Sequence, residues 1–126
     1  MLFVILTGCD STKTKTNDEK QIHHIVLFWL KDSGSPVHRQ KIIETSLSLS
    51  NIPGVLNVSK GEVIISEREI VDDSFDVAIT VTFANTDDMN TYLKHTIHND
   101  VVEKIMPLVE KIVIFDYVDH ANHKMP

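Results

Sequence analysis

Hydrophobic and polar residues alternate strictly over 75–83. Phe75, Val77, Ile79, Val81 and Phe83 fall on one side, and Asp76, Ala78, Thr80 and Thr82 on the other, the period of two that predicts a half-buried β-strand. Ile22–Leu30 is apolar on both faces after His23 and His24, and its β-branched and aromatic content predicts a buried strand. Residues 55–65 carry Leu56, Val58, Val63, Ile64 and Ile65, and predict a strand bent or bulged at Gly61. Residues 111–118 predict a closing strand, and the charged stretch 66–74 a connection.

Between these runs the spacing becomes helical. Ser35 and Pro36 suit an N-cap and a first helical position, where proline loses no hydrogen bond. The helix is expected to reach about Leu49, with Ile42, Ile43, Ser46 and Leu47 inward and Arg39, Lys41 and Glu44 outward, and Asn51–Gly54 stops it. Asn85 or Thr86 caps the next helix, whose inner side carries Met89, Tyr92 and Leu93. The chain is expected to turn near residues 95–98. Asn99 or Asp100 then caps a further helix with Val101, Val102, Ile105, Met106 and Val109 as its core stripe, kinked or restarted at Pro107.

Taken as one crossover each, these helices give the order β-α-β-β-α-β. That is the ferredoxin-like split βαβ pattern, an α+β fold with an antiparallel sheet. Residues 22–118 form its single domain and 119–126 a polar tail. Helices cover one face of such a sheet and leave the other bare. A small domain gains by stacking that open face on a second copy, so a homodimer closing an α+β barrel is expected.

Composition narrows the functional classes. With 18 Asp and Glu against 12 Lys and Arg, the net charge is −6, and no basic cluster appears that would grip phosphates, so nucleic acid is not an expected partner. There is no Gly-rich phosphate loop, serine nucleophile elbow or paired-carboxylate motif. The sequence therefore implies neither a cofactor nor a metal site. The single cysteine, Cys9, excludes an internal disulfide.

Cys9 has a telling context. An apolar run, Leu2–Leu6, leads into Thr7-Gly8-Cys9, and Leu6–Cys9 resembles a bacterial lipobox. On that reading residues 1–8 are the remnant of a signal peptide. Residues 9–21 are then a lipidated cysteine and a flexible tether, polar throughout 10–20. The protein is expected in the bacterial cell envelope, anchored to membrane through Cys9. If the lipobox match is accidental, the domain is cytoplasmic.

The densest chemistry lies in Tyr92-Leu93-Lys94-His95-Thr96-Ile97-His98. Together with His24–Phe28, Ile52-Pro53-Gly54, Phe75–Phe83 and Phe115-Asp116-Tyr117, it resembles the stress-responsive A/B barrel (Dabb) family across about residues 22–118. The resemblance implies a dimeric α+β barrel, and most members have no established reaction. One plant relative closes a polyketide ring by aldol chemistry, with residues matching His98 as base, Tyr92 as its partner and His24 near the pocket. The chain departs from the family at Thr96, where proline usually separates the two histidines.

Two readings follow. The first is a membrane-tethered homodimer that binds a small apolar or aromatic ligand or serves stress tolerance, with His95 and Phe28 as ligand contacts. The second is a cofactor-independent lyase or cyclase, or a monooxygenase. There His98, with an ordinary pKa near 6.5, is the general base, Tyr92 steadies a developing enolate, and His24 stands beside them. Tyr92 and His98 would be ordinary part-buried rings in the first reading. In the second they must line one cavity. His23 and His24 point to opposite faces of their strand, and His24 is the one expected inside.

Overall fold

The computed structural model describes residues 20–120; the expected lipobox and tether up to residue 19, and residues 121–126 of the tail, lie outside them. Four strands form one antiparallel sheet in the order β2-β3-β1-β4: β1 (Ile22–Leu30), β2 (Val55–Glu62), β3 (Val77–Phe83) and β4 (Val109–Val118). β1 lies at the centre, with Ile22 opposite Phe83 on one side and Val118 on the other. The helices are α1 (Pro36–Thr45), α2 (Thr86–Lys94) and α3 (Thr96–Ile105), so the second crossover of the ferredoxin-like α+β fold is split in two.

The helix-covered face holds the core. Ile22, Phe28 and Leu30 of β1 and Val77, Ile79, Val81 and Phe83 of β3 are buried there against Ile42, Tyr92, Val101 and Ile105 of the helices. The opposite face is bare and divided in chemistry. Ile25 and Leu27 of β1 and the exposed Phe115 and Tyr117 of β4 make one half apolar. Asn57, Ser59, Thr80 and Thr82 of β2 and β3 make the other half polar.

The caps read from the sequence are present. Ser35 accepts a hydrogen bond from the His38 amide at 3.1 Å, and Asn85 one from the Asp88 amide at 2.8 Å. Boundaries differ from expectation at five places. α3 stops at Ile105, and after a 3-10 turn, Met106–Leu108, Val109 opens β4 instead of continuing the helix's core stripe. The first helix ends at Thr45 and tightens into a 3-10 segment, Ser46–Asn51. The narrower turn points Leu49 inward and leaves Leu47 exposed, although the longer helix would bury Leu47. β2 stops at Glu62, its last pairing being with Val77, so Ile64 and Ile65 project into solvent. Its irregularity lies between Val55 and Asn57, and Gly61 pairs regularly with Ala78.

β3 begins at Val77, and Asp76 before it still bonds through its backbone to Phe28 and Val63. Its carboxylate, 2% exposed, accepts hydrogen bonds from the amides of Leu30 and Gly34 and from Arg39. Gly34 has φ +81°, a left-handed conformation that glycine tolerates, and this aims its amide at Asp76. Phe75 leaves the alternating set and packs edge-on against Trp29, their ring centroids 6.4 Å apart. The last difference is the start of α3. The helix begins at Thr96 with His95 as its cap, and Asn99 and Asp100 lie inside it.

Candidate functional site

Between the helix-covered face of the sheet and α2–α3 lies a cavity of about 260 Å³ with almost wholly apolar walls. His24, Tyr92 and His98 all line it. Three elements bring them together. Strand alternation points His24 inward with Val26 and Phe28, burial holds Tyr92 on the inner side of α2, and the His95 cap places His98 in the first turn of α3.

The three rings touch in sequence. The His24 and Tyr92 centroids are 5.8 Å apart, edge to face, and Tyr92 and His98 are 4.8 Å apart. Phe83 packs against the other side of Tyr92 at 5.0 Å and fixes that ring from below. Burial pushes the Tyr92 hydroxyl up to about 12, so the phenol stays a hydrogen-bond donor throughout the physiological range.

His98 is pushed below the ordinary histidine value. Burial is the main cause and the nearby His24 adds to it, against opposing hydrogen bonds to Asn99 and the Leu93 backbone. Its Nδ1 is buried with no hydrogen-bond partner among the described residues. A neutral imidazole with a free nitrogen can accept a proton.

His24 is oriented by a residue the sequence reading gave no role. Its Nδ1 lies 2.6 Å from Oδ1 of Asp116, directly opposite on β4. An ionised carboxylate only accepts, so Nδ1 carries the hydrogen and Nε2 remains free. The signal for Asp116 is a carboxylate inside the apolar run 112–118; its partner becomes visible only with the strand register. Phe28 lines the apolar end of the cavity. His95 does not line it: its ring Nδ1 accepts a hydrogen bond from the Ile97 amide at 3.1 Å. His23 points to the bare face, stacks on Tyr117 at 4.8 Å and meets Asp119 at 2.7 Å.

Among the described residues, no three His, Cys, Asp or Glu side chains gather in a way that could hold a metal ion. No described helix is long and apolar enough to cross a membrane.

A ferredoxin-like α+β sheet with an apolar cavity, lined by two histidines and a tyrosine, under α2 and α3 defines the class of this protein. The chain belongs to the stress responsive A/B barrel domain family, whose model matches residues 22–119. Among solved structures it is similar to a hydroxynitrile lyase from Passiflora edulis, at 25% identity over 84% of this chain and 97% of that one, with a TM-score of 0.68. A Dabb family protein with a ferredoxin-like fold from Mesorhizobium loti is 24% identical over 79% of this chain and 96% of that one, with a TM-score of 0.63. A dimeric ferredoxin-like protein of unknown function from Thermobifida fusca is 22% identical over 79% and 91%, with a TM-score of 0.64. No curated protein matches the chain.

Proposed function

We propose that this protein is a cofactor-independent lyase acting on a small hydroxylated or carbonyl compound held in the cavity. The observation that carries the reading is that His98, Tyr92 and the Asp116-oriented His24 open onto one apolar cavity. In the cleavage direction His98 takes the substrate hydroxyl proton, the oxygen forms a carbonyl as the adjacent C–C bond breaks, and the departing carbanion recovers a proton from the imidazolium. Tyr92 donates a hydrogen bond to the oxygen as its charge develops. The similarity to a hydroxynitrile lyase supports this reaction class.

Binding without turnover is the second reading, favoured by the apolar walls that hold a ligand without reacting with it. In either case the apolar half of the bare face supports a homodimer through that face, in keeping with the dimeric relative. The leader around Cys9 supports a lipid anchor in a bacterial envelope; without lipidation the same domain would act in the cytoplasm.

The test is cyanide release from mandelonitrile by the full chain and by His98→Ala. Turnover above buffer that falls about 10²–10⁴-fold in the variant supports the lyase. No turnover, with the His98 ring signals still moving on ligand addition, leaves the binding protein.

A further inference from the structure

The cavity has a direction. β1 and α3 run the same way beneath and above it: His24 and His98 lie near their starts, and the Lys31 amide is bonded to the Leu108 carbonyl at 2.9 Å just past their ends. Its groups can therefore be read in tiers. The first tier holds His24, Tyr92 and His98. One step further, Val26 of β1 faces Ile114 of β4, with Val102 of α3 above. The last tier is Phe28 opposite Ile112, with Ile105 and Met106 above. From first tier to last the strand advances ~14 Å at 3.4 Å per residue, and the helix ~10 Å at 1.5 Å per residue. All the polar chemistry lies at one end.

No Lys, Arg, Asp or Glu lines the cavity. Any charge on His24 is already answered by Asp116, and burial disfavours a charge on His98. A charged ligand would thus give up its hydration and find no counterion. The mouth lies between α3 and the edge strand β4, where Val102, Met106 and Ile114 are 40%, 43% and 52% exposed. At ~30 Å³ per non-hydrogen atom, the volume of about 260 Å³ holds roughly nine such atoms.

We infer that the cavity takes an uncharged amphiphile of medium length, with a carbonyl or hydroxyl head among His24, Tyr92 and His98 and an alkyl tail lying toward Phe28 and Ile105. This rests on the cavity being the functional site, and adds what the proposed reaction leaves open, the shape and charge of the ligand. Compounds with a bare polar head underfill it. Carboxylates and amines of the same length meet an apolar wall.

The experiment is a binding titration of the full chain with methyl ketones from 2-pentanone to 2-undecanone, beside octanoate and octylamine, read by calorimetry and by the His98 ring signals. Affinity should rise about fourfold per methylene, about sixtyfold from 2-pentanone to 2-octanone, and then level off as further carbons remain in water. Octanoate and octylamine should bind at least tenfold more weakly than 2-octanone. Ile112→Phe, which fills the tail end, should move the point of levelling to a shorter ketone; the series on the unaltered chain decides the matter if that variant does not fold. Affinity independent of length, charged ligands binding as well as the ketone, or no binding at all would each overturn the inference. No step needs turnover, so length-dependent ketone binding without cyanide release sinks only the lyase reading. Cyanide release with no length dependence sinks only this one.

Discussion

His24 and Asp116 face each other across the β1–β4 pair and bring Nδ1 and Oδ1 to 2.6 Å, with the histidine buried and the carboxylate side chain 44% exposed. The pair links the cavity to its surface: one nitrogen is held, and the other is left for the ligand. Asp116→Asn should lower lyase turnover less than His24→Ala, because the asparagine variant keeps the ring in the cavity and the alanine variant removes it. The solvent around Asp116 screens the pair, so unfolding stability should change by under ~1 kcal/mol. Steady-state kinetics and chemical denaturation on both variants check this.

Tyr92 gives a prediction at alkaline pH. Its folded value of about 12 lies above the ordinary 10.0, so its contribution to stability is complete below pH 10 and is lost as pH rises through 12. Two pKa units correspond to about 3 kcal/mol. Denaturation curves at pH 9 to 12 should show that loss in the unaltered chain and a correspondingly shallower decline in Tyr92→Phe.

Asp76 joins the end of β1, the following turn and α1 through one carboxylate. Burial alone would push it up, but the Leu30 and Gly34 amides and the Arg39 guanidinium outweigh burial and hold it below the usual carboxylate value. The stability it supplies is therefore present above pH 3.8 and disappears as the pH falls through its folded pKa. Asp76→Ala leaves two amides and a guanidinium without their acceptor and should cost about 3–5 kcal/mol, measured by denaturant midpoint at neutral pH.

His95 acts on the site without lining it. As cap of α3 it fixes where that helix starts, and so where His98 points. His95→Ala should cost about 1 kcal/mol, and His95→Asp, which keeps an acceptor in reach of the Ile97 amide, should restore most of it. If the two variants are equally unstable by thermal melting, the cap is not what the ring contributes.

The features legible in the sequence are those whose signals are local. The bounds of β1, the Ser35 and Asn85 caps and the inward set Val77 to Phe83 depend on neighbours within a few residues, and they stand as read. Tyr92, His98 and His24 were legible as candidates because rings are scarce in this chain and strand alternation separates His24 from His23. What escaped depends on distant partners. Asp116 acquires meaning only when the register sets it opposite His24, and Asp76 only when β3 folds it under the turn after β1. The start of α3 was misjudged because Asn99 and Asp100 are ordinary capping residues whereas histidine is an uncommon one, and packing chose His95. Leu49 faces inward in place of Leu47 because a 3-10 turn advances side chains by a different angle from an α-helix.

The cavity opens on the helix side of the sheet, away from the bare face. Whatever covers the bare face therefore sits a full sheet thickness from the chemistry. Ligand uptake should be hyperbolic, with one equivalent per chain. A mixed assembly of intact and His98→Ala subunits should work in simple proportion to its intact fraction. Association can harden the scaffold, but each subunit keeps its own accounts of protons.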